Sequence, residues 1–163
     1  MKRHLILIAV IISGIVLNSC NKFPPGPDPE PVPIPGIEFE TYYQGSHFYM
    51  NETDSPIKMV IKNENDEEVF LNSVTTPPTF APVDLPDIYD DRMYIAIIMP
   101  QRPSGGYELD IRKVFVRNNT LYVKAVEIEP EVGDASIGYP GHIIRLERMD
   151  MPLNFLDIEL IKE

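Results

Sequence analysis

The sequence predicts a mainly β domain of the β-rich α+β kind, an antiparallel sandwich or barrel-like sheet of about seven strands with one short helix, over residues 37–163. Three observations carry this expectation. Short runs alternate apolar and polar residues, as half-buried strands do. One run, Met93 to Met99, is apolar almost throughout and suits a central strand buried on both faces. Asn, Gly and Pro punctuate the runs at short intervals, as hairpins and sandwich turns require.

Taken in order, Ile37, Phe39, Thr41 and Tyr43 alternate with Glu38, Glu40 and Tyr42 to open the first strand, and Ile57 to Lys62 forms a second. Asn65 followed by Glu68, ahead of Val69, Phe70 and Val74, is a capping pattern and predicts a helix from Asp66 to Val74. Pro77, Pro78, Pro82 and Pro86 keep the next stretch irregular. After the central run, Tyr107, Leu109 and Ile111 alternate in a strand that continues to Val116. Asn118-Asn119 then tolerates positive φ and turns the chain into Leu121–Ile128. In that return strand the apolar phase slips between Ala125 and Val126, so a bulge is expected there. Gly133 to Gly141 reads as a loop, and His142–Arg148 and Leu153–Lys162 as closing strands. There is no internal repeat.

Residues 1–36 follow different rules. Lys2-Arg3 precede an apolar stretch from Leu5 to Leu17, which ends in Asn18-Ser19-Cys20. These are the three parts of a secretory signal peptide, and the stretch is shorter than the roughly 17–25 residues of a membrane-spanning helix. The small residues before the single cysteine resemble the bacterial lipoprotein lipobox. The implied organisation is a signal peptide over 1–19, a lipidated Cys20 opening a tether over 20–36, and a β domain over 37–163. Two or three acyl chains on Cys20 make a durable membrane anchor and consume the only thiol. Pro24 to Pro35 place seven prolines in 12 residues. Such a segment favours polyproline II and acts as a semi-rigid spacer of about 3.1 Å per residue. Proline-rich ligands of SH3 or WW domains share this composition, but their readers are mainly intracellular.

Cleavage removes two of 14 basic residues and leaves 12 against 25 acidic ones, a formal charge of −13. That balance repels nucleic acid and anionic lipid headgroups and disfavours phosphate ligands, so no nucleic-acid partner is expected. Asn21 is not the aspartate associated with inner-membrane retention. The outer membrane is favoured, with periplasmic and surface-facing orientations both compatible.

One run stands out: Met99-Pro100-Gln101-Arg102-Pro103-Ser104-Gly105-Gly106-Tyr107-Glu108-Leu109. It resembles the hallmark of the PrcB-type protease-complex subunit family (its C-terminal domain), a basic residue before a Pro-Thr/Ser-Gly-Gly-Tyr turn. Phe39 to Ser46 is similar to that family's opening strand with its Gly-Ser pair, Pro82-Val83-Asp84-Leu85 to its Val-Asp-Phe, and Tyr139-Pro140-Gly141-His142-Ile143-Ile144-Arg145 to its Pro-Tyr-His strand opening. Gly141 stands where the family has tyrosine. The resemblance covers roughly Phe39 to Phe155 and implies an envelope lipoprotein module of a kind that associates with a surface protease complex. The Pro-Ser-Gly-Gly-Tyr turn also resembles, more weakly, a loop of chagasin-type protease inhibitors, whose asparagine and second, tryptophan-bearing loop have no counterpart here.

Arg102, Pro103, Ser104, Gly105, Gly106 and Tyr107 are therefore the expected recognition loop. It reads either as a connector between adjacent strands or as an exposed presenting loop, and the two are compatible. Because Pro103 fixes one φ and the chain must reverse, Gly105 or Gly106 is expected at positive φ.

No catalytic group is expected. Gly-x-Ser-x-Gly and Ser-x-x-Lys patterns are absent, and Ser104 lacks nucleophile-elbow spacing. His47 and His142 have no second ligand at metal-binding spacing, and His142 reads as a hydrogen-bonded structural residue. Asp87, Asp90 and Asp91 lack the glycine and bidentate glutamate of a calcium loop. Neither metal nor cofactor is expected. The sequence thus points to a lipid-anchored, non-enzymatic protein-interaction module. Alternatives are a loop-presenting protease inhibitor, or a cell-wall or glycan-binding module using Tyr42, Tyr43, Phe48 and Tyr49.

Overall fold

A computed structural model of the chain describes residues 34–50, 54–75, 85, 91–133 and 135–162. The signal peptide, the lipidation site, most of the tether and all of Pro82-Val83-Asp84-Leu85 except Leu85 fall outside these residues, as do Asp87 and Asp90.

The described chain is strand-rich with one helix, and its two main sheets pack as an open sandwich rather than a closed barrel. The strands are β1 (Glu40–Gly45), β2 (Tyr49–Met50), β3 (Ile57–Ile61), β4 (Val74–Thr75), β5 (Arg92–Ile98), β6 (Glu108–Arg117), β7 (Thr120–Glu129), β8 (Gly141–Glu147), β9 (Leu153–Phe155) and β10 (Glu159–Lys162), with helix α1 (Glu64–Ser73) between β3 and β4. One sheet has the order β1-β8-β5-β3, all antiparallel. The other is built on the β6–β7 hairpin, with β9 and β10 both running parallel to β7. That sheet is therefore mixed, not purely antiparallel.

The first sheet is the middle layer. Its Met93, Ile95, Ile97, Ile144 and Leu146 face Leu109, Ile111, Val114, Leu121, Val123 and Ala125 of the second sheet. Its other face puts Tyr94, Ala96, Ile98 and Ile143 against Phe70 of α1, with Phe48, Val74 and Leu85. Two cores back to back explain why β5 is apolar without alternation: every residue from Met93 to Ile98 is buried.

Three sequence expectations need correction. The helix begins two residues earlier, because Asn63 rather than Asn65 caps it. The Asn63 side chain accepts from the Asp66 N–H at 3.0 Å, and Asp66 Oδ2 accepts from the Lys62 N–H at 2.9 Å. The bulge lies in β6, where Arg112 is the extra residue opposite Lys124 and Ala125. It switches the inward positions of β6 from Leu109 and Ile111 to Val114, while β7 keeps one phase through Leu121, Val123 and Ala125. The closing strand is split into β9 and β10, with one more residue between Phe155 and Glu159 than between their partners Val123 and Val126. The hairpin turn is as expected, with Asn118 and Asn119 at φ 50° and 57°.

Two side chains and the backbone of Ile37 close the free edge of β6, which would otherwise invite a foreign strand. Gln44 Nε2 donates to the Leu109 carbonyl at 2.8 Å. The Ile111 N–H donates to His142 Nδ1 at 2.8 Å, and the Ile37 N–H to the Val114 carbonyl at 2.7 Å.

Candidate functional site

The Arg102–Tyr107 segment does not join neighbouring strands. It carries the chain from β5 in one sheet to β6 in the other, so it is an arch across the top of the sandwich. That corrects the connector reading and also the glycine reading, since no described glycine has positive φ. An arch between layers turns gradually and needs no left-handed residue.

Crowding explains the glycine at 106. A Cβ there would lie 3.0 Å from the Pro130 ring, and one at Gly138 would lie 3.1 Å from the Gly105 Cα. Gly133 likewise makes room for Ser104, whose Oγ would be 2.7 Å from an added Cβ. Pro130, Gly133 and Gly138, in or just before the stretch expected as a loop from Gly133 to Gly141, thus pack against the arch.

Backbone pairing ties the segments together. Arg102 and Gly138 exchange two hydrogen bonds, Arg102 N–H to Gly138 O at 2.8 Å and the reverse at 3.3 Å. On its other side the same segment pairs with the end of β1, the Tyr139 N–H donating to Ser46 O at 3.1 Å. The Met99 N–H donates to Pro140 O at 2.8 Å. Three motifs far apart in sequence, Gly45-Ser46, Arg102–Tyr107 and Tyr139–His142, therefore meet at one end of the sandwich.

The arch is stiffened from within. The Arg102 guanidinium makes a two-pronged ion pair with Glu127: Nε with Oε1, and Nη2 with Oε2 at 2.7 Å. Arg102 lies 6.0 Å from the centroid of the Tyr107 ring. The hydrogen bonds that Arg102 donates to Glu127 raise the Arg102 pKa further, so the guanidinium stays charged. Burial, and then the Glu129 carboxylate beside its hydroxyl, raise Tyr107 above the ordinary tyrosine value. Ser104 is buried at 7% exposure, and its Oγ accepts from the Gly106 N–H at 3.2 Å. Pro103 is exposed.

Glu127 is the residue that sequence reading missed. It follows Leu121, Val123 and Ala125 on the inward phase of β7 and is only 4% exposed. An acid in that phase was the available signal, but it reads equally as a slip of phase. Beside the arch lies a hollow of about 260 Å³ lined by Gln44, Ser46, His47, Gly105, Tyr107 and Glu108, among others.

His142 is buried and structural, as expected. Its Nδ1 accepts from the Ile111 N–H, so the neutral ring must carry its proton on Nε2, which donates to Thr41 Oγ1 at 3.0 Å. Burial lowers its pKa, and Asp110, 3.8 Å away, acts in the opposite sense. Gly141, where a side chain would meet Ile98 Cδ1 at 2.6 Å and Phe48 Cδ2 at 2.7 Å, lies under the Phe48 ring. An aromatic from the β1–β2 connection thus fills that position from outside the motif. Of the four clustered aromatics, Phe48 is core, Tyr42 and Tyr43 pack edge-on to Tyr94 and Phe48, and Tyr49 is 47% exposed beside Tyr139. Among the described residues no three His, Cys, Asp or Glu side chains gather as metal ligands do.

The family comparison covers this architecture from Met93 in β5 to the end of β8, including the arch, the hairpin and loop 130–140. Residues 93–147 match the PrcB C-terminal family. This is a PrcB-type segment. Its boundaries enclose both halves of the Arg102–Gly138 pairing and both partners of the Arg102–Glu127 ion pair. The PrcB-type match leaves β1 outside, although Gly45-Ser46 completes the same end of the sandwich. No curated protein and no solved structure matches the chain.

Proposed function

We propose that the protein is an envelope-anchored, non-enzymatic lipoprotein whose β domain is a protein-interaction module of the protease-complex-subunit kind. The observation that carries this reading is the convergence of Gly45-Ser46, Arg102–Tyr107 and Tyr139–His142, within or beside the PrcB-type segment, into one rigid, mostly backbone-built end. Pre-organised loops on a rigid sheet lose little entropy on docking, which favours recognition. Cys20, the preceding apolar stretch and the proline-rich tether support the anchor, and Asn21 favours the outer membrane.

The inhibitor alternative needs a loop free to enter a protease cleft. Here Arg102 is held by Glu127 and Ser104 is buried, so docking of the whole end onto a partner surface is the stronger reading. The test is recovery of partners from membranes by intact protein and by variants at the exposed positions Pro103 and Glu108, for example Pro103→Arg and Glu108→Lys, with thermal melts confirming folding. A partner lost by both folded variants supports the reading. Identical recovery by all three proteins removes the arch from it, and inhibition of a protease by purified protein would favour the alternative.

A further inference from the structure

The β6–β7 hairpin carries a second surface, on the face turned away from the sandwich. Val114, Leu121 and Val123 point into the core, so Lys113, Phe115, Arg117, Tyr122 and Lys124 project outward. Lys113 stands directly opposite Lys124 in the ladder, and like charges so placed repel. Phe115 and Tyr122, the next pair, stack with ring planes 12° apart and centroids 5.3 Å apart.

Lys113, Arg117 and Lys124 lie together on this one face without ion-paired carboxylates, in an otherwise acidic chain. Among the described residues Lys62, Arg102, Arg112, Arg145, Arg148 and Lys162 all have carboxylate partners. Among the described residues Lys113, Arg117 and Lys124 have none, and neither do Lys58 and Arg92 of the first sheet. Lys113 instead donates to the Ile34 carbonyl at 2.6 Å and lies 5.7 Å from the Phe115 centroid. The chain thus arrives from its N-terminal side at this face: Ile34 is held by Lys113, and Ile37 pairs with Val114. The residue expected to be lipidated lies only 14 positions before Ile34.

From the uncompensated charge and the chain's point of entry, we infer that the Lys113–Arg117–Lys124 face contacts the anionic phospholipid headgroups of the membrane that holds the protein. The inference rests on the lipid-anchor reading above. The overall negative charge does not preclude it, since exposed charges beyond a Debye length of about 8 Å are largely screened at physiological salt. The stacked Phe115–Tyr122 pair supplies apolar area between the cations at headgroup depth. Contact here would leave the arch on the far side of β6, whose ten residues extend about 30 Å.

The test uses acylated full-length protein in phosphatidylcholine nanodiscs and in discs that also contain phosphatidylglycerol. Hydrogen exchange is followed over residues 113–124. A cation at an anionic surface contributes about a fivefold factor, so exchange should slow on the order of fivefold or more in the anionic discs. The effect should vanish at high salt and in the Lys113→Gln/Arg117→Gln/Lys124→Gln variant. Equal exchange in the two discs overturns the proposal, as does protection that survives the triple substitution. Protection by polyglutamate but not by anionic discs overturns it in favour of an acidic protein partner. The mass of the N-terminal peptide reads acylation separately. An unacylated protein would remove the anchor reading, and vesicles of the same two lipids would then decide the face alone.

Discussion

At the scale of single residues, the candidate site depends on two polar groups placed in apolar surroundings. Glu127 is stable inside the sandwich only because Arg102 meets both of its carboxylate oxygens. Removing one partner of a buried pair strands the other, at about 3 kcal/mol, whereas replacing both by apolar residues is often nearly neutral. Arg102→Ala should therefore destabilise more than the Arg102→Met/Glu127→Leu double variant, in urea unfolding. A double variant at least as unstable as Arg102→Ala would show that the pair is not the brace described. His142 makes the opposite kind of demand. Its folded-state pKa is depressed by burial, so the unfolded chain takes up the proton first as pH falls below about 6.5. Its contribution to stability is complete above that value and is lost as pH drops toward the folded pKa. Protonation of Nδ1 would also break the bond from Ile111. Between pH 7.5 and 5.5, midpoints should fall more steeply for the native protein than for His142→Gln, whose amide accepts and donates without titrating. Parallel slopes would assign the pH dependence to other groups.

At the scale of elements, local sequence signals decided where strands begin and end, while neighbours decided register and curvature. The Asn118-Asn119 turn was legible because two consecutive residues at positive φ demand that chemistry. The bulge was legible only as a slip of phase, and Glu127, an inward acid, placed the slip on the wrong strand. Gly141 shows the same dependence on neighbours. Its need for glycine comes from Phe48 and Ile98, not from its own backbone angles. Gly141→Ala should cost about 1–3 kcal/mol in thermal melts, as overpacking does, and Phe48→Leu in the same chain should recover part of it. A cost unchanged by Phe48→Leu would place the strain elsewhere.

At the scale of the molecule, one sheet serves two cores. β5 lies between β8 and β3 with layers on both faces, whereas α1 covers one face through Phe70 and leaves Val69 and Leu71 exposed. Native-state hydrogen exchange should accordingly find the β5 and β8 amides slowest, opening only with global unfolding, and those of α1 and β10 faster. Amides of α1 as slow as those of β5 would mean that the layers unfold as one unit.

The sequence by itself determined the strand-rich class, the doubly buried strand, the single helix, the hairpin and the motif that marks the PrcB-type segment. Each of these is written in residues adjacent along the chain, through periodicity, capping or turn chemistry. The tertiary structure alone decided that Arg102–Tyr107 crosses between sheets, that Glu127 braces it and that Gly138 and Ser46 frame it. It also decided that β9 and β10 join β7 in parallel. These depend on residues 25 to 90 or so positions apart meeting in space, and no local pattern encodes the pairing of such distant segments.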